Sequence, residues 1–255
     1  MIRIWALATN TFREAVRDRV LYSILIFTVG LIAISLSLQE ITVGDQDKVV
    51  RSVAQGGIDL MVSIIAMFLG VSLVWKEVER KTIYTILSKP VSRWMFILGK
   101  YLGMVLTLVV ELTILMAIYT LLIATQQDMP SAVVYVSAGM LIVELMLLTA
   151  WATLFSTYSS PMMAGFFTIA VFIIGHLADD IWRFGQQAES LAVQQMSEVI
   201  YWVLPNFEVF SLRVHAVHDH PIPWEQVTGA IAYGGLYTTA VLALAMLIFS
   251  QRDLR

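Results

Sequence analysis

Six hydrophobic runs, each long enough to cross a lipid bilayer, constrain this chain more than any other feature of its sequence. The first run has nineteen residues without a charge, and as a helix it would be about 28 Å long, which matches the hydrocarbon core. We expect one transmembrane helix from each run, at 20–38, 58–75, 101–124, 133–155, 162–178 and 227–249.

Composition supports the same interpretation. The 255 residues are 58% hydrophobic and 14% charged, whereas soluble domains average about 45–50% apolar and about 25% charged residues. The absence of cysteine excludes disulfides, thiolate metal sites and cysteine nucleophiles. The start of the chain lacks the layout of a signal peptide, so we expect the first span to remain in the mature protein. The sequence therefore predicts one all-α polytopic membrane domain over 1–255.

Two further segments are predicted to form helices along the membrane surface. Residues 1–19 carry an apolar stripe that includes Trp5 and Phe12, opposite four arginines. This pattern indicates an interfacial elbow helix rather than a solvated tail. In 179–226, apolar residues recur at roughly helical spacing up to Pro205, which predicts external amphipathic helices before the last span. Those helices could gate a path or contact a substrate, or they could form a lid that only buries the spans.

Lysine and arginine are distributed unequally between the two sides of the spans. Twelve of the sixteen fall on the side of both termini and of the 76–100 loop, and four fall on the other side. Because basic loops are retained in the cytoplasm, we expect both termini and this loop to be cytoplasmic, in the inner membrane of a bacterium or archaeon. No nucleic-acid partner is expected from a net charge of −3.

Motifs for nucleotide binding and for serine hydrolysis are absent from the sequence. A P-loop requires Gly-x-x-x-x-Gly-Lys-Ser/Thr, and the pair Gly99-Lys100 is followed by Tyr101. No Gly-x-Ser-x-Gly elbow is present, and Ser159 and Ser160 have no histidine at a similar membrane depth. We therefore expect a chain that is not itself an enzyme.

Two acidic residues, Glu111 and Glu144, lie near the middle of the third and fourth spans. An ionised carboxylate at this depth costs at least a few kcal/mol unless it is paired or protonated. Each glutamate could mark a translocation path or a subunit interface, or it could be protonated and only hydrogen-bond neighbouring helices. The expected partners are an acid from another subunit or the side chains of Thr107, Thr113, Tyr119 and Thr149.

Three histidines, His215, His218 and His220, surround Asp219 in the external segment. Imidazoles and a carboxylate at this spacing are a weak candidate for a zinc or copper site. The methionines are scattered along the spans, where they fill packing positions, so we expect a solvated loop and no bound metal. His176, near the end of the fifth span, is expected to be a packed or interfacial residue.

The 76–100 loop carries the most specific pattern in the chain. It contains Trp75-Lys-Glu-Val-Glu-Arg-Lys-Thr82, then Ile86-Leu-Ser-Lys-Pro-Val-Ser-Arg93, then Phe96-Ile-Leu-Gly-Lys100. This order resembles the E-x-E-[RS]-[GK]-T…LLS-x-P-V-S-R…GK pattern of ABC-2 type transporter permeases. It is most similar to the branch that includes the permease of nitrous oxide reductase copper-site maturation. The resemblance extends over the whole chain, including Leu204-Pro-Asn-Phe-Glu208 in the external segment.

The resemblance implies that two permease chains, here a homodimer, pair with two separate ABC ATPase chains. ATP and Mg²⁺ would be held by the ATPase, with no cofactor bound by this chain, and a periplasmic or accessory protein would be a further partner. The loop would supply a cytoplasmic coupling helix that docks on the ATPase, and Pro90 would end it before Ser92 caps the next helix. The residues predicted to contact the ATPase are Glu77, Glu79, Arg80, Thr82, Ile83, Ile86 and Leu87.

Two functions remain open from the sequence. The first is the permease subunit of an ATP-driven exporter or extruder. The second is an ion-coupled secondary transporter or channel that uses Glu111 and Glu144 without ATP. The sequence shows no duplicated half and no broken-helix pattern, which weakens the second hypothesis.

Overall fold

The computed structural model describes residues 2–37, 46–79, 92–125 and 129–251. All regular elements within these segments are helical. The α-helices are α1 (Ile2–Val16), α2 (Arg19–Ser37), α3 (Gln46–Glu79), α4 (Arg93–Ala124), α5 (Ala132–Tyr158), α6 (Pro161–His176), α7 (Ala178–Gln187), α8 (Leu191–Val203), α9 (Arg213–His218) and α10 (Trp224–Gln251), with a 3₁₀ turn at Glu208–Phe210.

Four helices in the described residues, α3, α4, α5 and α10, are long and apolar enough to cross a membrane. Two bent pairs can each add one span: α1 with α2, bent by 62°, and α6 with α7, bent by 63°. The predicted all-α polytopic membrane fold is confirmed. The count of six spans is reached when each bent pair is taken as one span.

Two helices extend well beyond the apolar runs that predict them. Helix α3 begins at Gln46, twelve residues before the predicted span 58–75, because its polar first turns bind the segment that precedes α10. Helix α4 begins at Arg93, so residues 93–100 form the helix that was expected to follow Ser92 and to continue into the third span. Ser92 stands at the N-cap position as expected, but its side chain makes no cap hydrogen bond.

Helix α5 lies at the centre of the bundle, where it contacts α3, α4, α6 and α10. A Cβ atom at Gly70 of α3 would collide with Ala152 of α5, so these two helices approach each other closely. The Tyr101 hydroxyl of α4 donates to the Met146 carbonyl of α5 at 3.1 Å. Small residues at such crossings allow the extensive van der Waals contact that holds helices together in a membrane.

Helix α1 packs along the first turns of α4, at the face of the bundle that we call the N-terminal face. Cβ atoms at Gly99 and Gly103 would meet Leu7 and Thr11 of α1. Between these glycines, Lys100 is only 1% exposed, and its Nζ lies 3.3 Å from Glu14 Oε2. Lys100 is therefore an internal ion-pair partner that joins α4 to the elbow helix.

The same turns of α4 also hold the end of α10. Arg93 Nη1 donates to the carbonyls of Phe249, at 3.3 Å, and Ser250, at 2.9 Å, near the C-terminus of a helix where a cation is favourable. The buried rings of Phe96 and Phe249 stack with centroids 5.8 Å apart. We call this region, 93–103, the α4 base, and it joins α1, α4 and α10.

Helices α7 and α8 form a hairpin on the opposite face, which we call the distal face. Gly185 of α7 contacts Ser197 of α8, and the Tyr237 hydroxyl of α10 donates to the Val203 carbonyl at 2.7 Å. Large apolar side chains remain exposed on this hairpin, namely Phe184, Leu191, Met196, Val199 and Trp202. Apolar side chains in these positions can enter the adjacent membrane leaflet, as expected of amphipathic helices at a membrane surface.

We predict that Gly103→Ala destabilises the protein by about 1–3 kcal/mol, because the new methyl group overpacks the contact between α1 and α4. The matched control is Gly139→Ala on α5, where nothing lies within 4 Å of an added Cβ. At that site, alanine should be neutral or stabilising. The apparent unfolding midpoint of the purified protein measures both effects, and equal midpoints for the two variants would contradict the packing described here.

Candidate functional site

A polar cavity of about 570 Å³ opens at the distal face between α3, α5, α6 and the segment that precedes α10. This volume is in the range of small-molecule sites. Five elements contribute its ionisable side chains, which are Asp59 of α3, Glu144 of α5, His176 of α6, Glu208 of the 3₁₀ turn, and Arg213 with His218 of α9. We call it the distal cavity.

Glu144 is paired inside this cavity with a residue that the sequence analysis did not assign to it. Glu144 Oε1 lies 3.4 Å from His176 Nε2, and Glu144 is only 6% exposed. The predicted partners were hydroxyl groups or an acid from another subunit. His176 was expected to be only a packed or interfacial residue. His176 is the last residue of α6 and precedes the bend. Because a short connection between Tyr158 and Pro161 joins α5 to α6, Glu144 and His176 lie at similar distances along the two helices from that connection, and this spacing is the sequence signal that could have paired them.

The second ring nitrogen of His176 fixes how the pair can be protonated. Nδ1 lies 3.0 Å from the carbonyl oxygen of Phe172, and a carbonyl can only accept, so Nδ1 carries a hydrogen. The pair is then satisfied either by a neutral imidazole that accepts from a protonated Glu144 or by an imidazolium that donates to a carboxylate. In both forms Glu144 and His176 share a single proton across this contact.

Arg213 crosses from α9 to the first turns of α3. Its Nη2 donates to the Ser52 carbonyl at 2.7 Å and to Ser52 Oγ at 3.2 Å. The guanidinium lies directly over Gly56, where a Cβ atom would collide with it. Gly56 therefore provides the space through which Arg213 reaches α3 and forms part of the cavity wall.

The sequence Leu204-Pro-Asn-Phe-Glu208 binds the segment that precedes α10, which we call the distal segment, to α6. The Phe207 amide donates to the Gly175 carbonyl at 3.0 Å, and Asn206 Nδ2 donates to Asp179 Oδ1 at 2.8 Å. Asn206 Oδ1 accepts from the Glu208 amide at 3.0 Å. These bonds fix the turn that carries Glu208 into the cavity.

Glu208 has a carboxyl group that is partly removed from water. Burial raises its pKa, and the nearby Asp179 and Asp180 carboxylates raise it further, while His176 and Arg213 oppose the rise. Glu208 therefore takes up a proton more readily than an exposed glutamate does.

A salt bridge fastens the segment that precedes α10 to α3. Arg51 Nη1 lies 2.9 Å from Asp219 Oδ2, and Asp219 has the left-handed backbone conformation, with φ of 52°. The adjacent Ser131 hydroxyl and the Arg51 guanidinium hold the pKa of Asp219 below its usual range. Together with the bond between Arg213 and Ser52, this salt bridge explains why α3 continues as a helix beyond its apolar run.

The three histidines of the external segment lie beside this salt bridge. The rings of His218 and His220 stack 5.7 Å apart, and those of His215 and His220 are 6.1 Å apart. Among the described residues, no three histidine, aspartate or glutamate side chains are arranged to hold a metal ion.

Glu111 has a different environment from Glu144. It is 3% exposed, and neither of its carboxyl oxygens has a hydrogen-bond partner within the described segments. Two of its expected partners are engaged elsewhere, since Thr107 donates to Gly103 and Thr113 donates to Val109, each within its own helix. The distal cavity is not lined by Glu111, so the structure does not bring the two membrane glutamates into one site.

The residues predicted to contact an ATPase fall at the edge of the described chain. Glu77 and Glu79 belong to the last turn of α3. The remaining predicted contacts lie outside the described residues, and these are Arg80, Thr82, Ile83, Ile86 and Leu87.

We predict that Asp219→Asn lowers stability at neutral pH by at most about 1 kcal/mol, the usual range for an exposed ion pair. Asparagine tolerates the left-handed backbone, so the substitution removes only the charge. Because the pKa of Asp219 is lowered on folding, its contribution is present above the ordinary value of 3.8 and is lost as the pH falls through the lowered pKa.

The difference between wild type and Asp219→Asn should therefore shrink in acid, which unfolding midpoints measured across pH will test. Glu189→Gln on the exposed loop between α7 and α8 is the control. A difference that persists unchanged at low pH, or one equal to that of the control, would exclude a role for the Asp219 charge.

Comparison with known proteins identifies the family. Residues 5–254 match the family described as ABC-2 family transporter protein, and no match was found among curated proteins. The match covers nearly the whole chain, including every described helix that can cross a membrane. ABC-2 permeases are multi-pass membrane subunits that work with an ABC ATPase. The chain therefore belongs to the ABC-2 family of transporter proteins.

Proposed function

We propose that this permease is the membrane subunit of an ATP-driven exporter or extruder, built from two copies of the chain and two copies of a separate ATPase. The basic 76–100 loop and both termini would face the cytoplasm of a bacterium or archaeon, and the distal cavity would face outward. Within the family, the motif over 75–100 favours the branch of the nitrous oxide reductase maturation permease.

The observation that carries this proposal is the way the α4 base is built. The segment from 80 to 91 joins α3, an unbroken helix as far as Glu79, to α4, which begins at Arg93. The α4 base is fixed to α1 through Lys100 and Glu14 and to α10 through Arg93. An ATPase that moved residues 77–87 would therefore move α3 as one rigid body and the α4 base, with the parts of α1 and α10 bound to it, as another.

Helix α3 connects the 76–100 loop to the distal cavity. Asp59 in the distal cavity and Glu79 at the end of α3 lie on the same helix, about 30 Å apart at the rise of an α-helix. A tilt of α3 imposed at the loop would change the position of Asp59 relative to Glu144 on α5. We infer that closure of the ATPases opens or closes the distal cavity in this way.

The alternative of an ion-coupled transporter or channel retains one supporting observation. Glu144 and His176 lie within ion-pair distance of each other in the distal cavity, as residues of a proton relay do. A path that used both Glu111 and Glu144 has less support, because Glu111 does not line the distal cavity.

Co-purification with the ATPase tests the proposal. We expect the combined charge reversal Glu79→Arg and Arg80→Glu to reduce the amount of ATPase that co-purifies with the permease, because it would oppose ion pairs at a docking surface. Purification through a tag on the permease, with the ATPase measured by immunoblot and by hydrolysis, gives the result.

The matched control is Arg183→Glu with Glu189→Arg, which reverses two exposed charges on the distal hairpin. This pair leaves the net charge unchanged, as the test pair does. Equal association and ATPase activity in wild type and in the Glu79 and Arg80 variant would refute the coupling role of the loop. A permease that never associates with an ATPase would favour the ion-coupled alternative.

A further inference from the structure

We infer that the distal cavity binds an organic cation, an amine or guanidinium group carried on an apolar body. This inference deepens the proposed function and rests on it only in treating the bound molecule as the transported cargo. The inference starts from the balance of charge in the cavity wall. Glu144 is paired with His176, and this pair carries no net charge in either of its forms. The carboxyl groups of Asp59 and Glu208 then stand against the single guanidinium of Arg213.

Arg213 does not form a salt bridge with these carboxylates. Its hydrogen bonds go to the carbonyl and hydroxyl of Ser52. Arg213 acts on the Asp59 carboxylate through its charge, but its hydrogen bonds within the described chain go to Ser52 and not to Asp59. A carboxylate held in this environment is stabilised by a cation that enters the cavity, whereas an anion would meet like charges from Asp59 on α3 and Glu208 on the 3₁₀ turn.

An unsatisfied amide gives independent evidence for a missing ligand. Gln55 is 7% exposed, and neither its Oε1 nor its Nε2 has a hydrogen-bond partner among the described residues. Its side chain lines a small void that shares Asp59, Ser137 and Leu141 with the distal cavity. Because an unpaired buried amide is unfavourable, a donor group that reached this void beside Asp59 would satisfy the Gln55 oxygen as well.

The other walls of the cavity suit the apolar part of such a ligand. Phe172 and Phe210 line it together with aliphatic side chains, which are Leu60, Leu141, Leu212, Val214 and Val217. Aromatic faces attract cations once water is excluded, and aliphatic walls bury a hydrocarbon body. The carboxyl groups and aromatic rings of the cavity, with the unpaired Gln55 amide in the adjoining void, favour a cation with an apolar body over a small hydrated ion.

The ammonium group could come from a free amine at the distal side or from the headgroup of an aminophospholipid. Two arms of one experiment distinguish these sources. In the first, the full chain is placed in nanodiscs of phosphatidylglycerol, which lacks an amine, and is titrated with 2-phenylethylamine or with its neutral isostere 2-phenylethanol. In the second, native mass spectrometry compares retention of phosphatidylethanolamine with that of phosphatidylglycerol.

We expect the amine to bind at least about tenfold more tightly than the alcohol, or phosphatidylethanolamine to be retained over phosphatidylglycerol, because the loss of a buried charge partner weakens binding by at least this factor. Asp59→Asn and Glu144→Gln should weaken that preference by about tenfold or more. Glu111→Gln is the matched control, since it replaces the carboxyl group of a buried membrane glutamate that does not line the cavity, and it should leave binding unchanged.

Gln55→Leu provides a second test that keeps the side-chain volume and leaves every charge in place. It should weaken amine binding even if an aspartate or glutamate variant does not fold, which gel filtration will show. Equal binding of amine and alcohol together with equal retention of both lipids would overturn the inference. A loss of binding in Glu111→Gln equal to the loss in Asp59→Asn and Glu144→Gln would also overturn the inference.

Failure of this inference is separable from failure of the proposed function. Ligand binding is measured on the permease without an ATPase, whereas the coupling test depends on co-purification. A permease that retains its ATPase but shows no preference for amines refutes the cation site alone.

Discussion

In the hydrocarbon of a membrane, a backbone group without a hydrogen-bond partner costs several kcal/mol, and a polar side chain must find a partner within the protein. The first requirement accounts for the helical fold. The second accounts for where this chain is irregular. Helix α6 ends where His176 pairs with Glu144, and the chain then bends into α7, while the polar start of α3 is bound by Arg213 and Asp219. Departures from a simple bundle thus occur where a polar group needs a partner.

The two faces of the bundle are held by different kinds of contact. At the N-terminal face, glycines allow α1 to lie against α4, and the buried Lys100 is paired with Glu14. At the distal face, hydrogen bonds and an exposed salt bridge attach a separate segment to α3. Exposed ion pairs contribute little stability, whereas overpacking a close helix contact is costly. We therefore expect the N-terminal face to move as a unit and the distal segment to be the part that can release.

The sequence was sufficient to predict the elements that depend on hydrophobicity. The all-α polytopic fold is confirmed, and the start of α4 directly after Ser92 follows from the proline before it. The start of α3 at Gln46 could not be predicted in this way, because polar residues such as Arg51 are typical of a loop. Arg51 is bound by Asp219, which is 168 residues away in the sequence, and hydropathy does not reveal such a contact.

The candidate site was predicted only in part for the same reason. An acid inside an apolar run identifies Glu144, but hydropathy does not show that His176, at the end of α6, faces it. Glu111 carries the same sequence signal and has no hydrogen-bond partner in the described chain. A hydropathy pattern gives the depth of a charged residue but not the direction in which its helix faces. Glu144 faces a cavity that Asp59 borders on the α3 side, with Gln55 in the void that adjoins it, and this neighbourhood is what distinguishes a binding site from a buried acid.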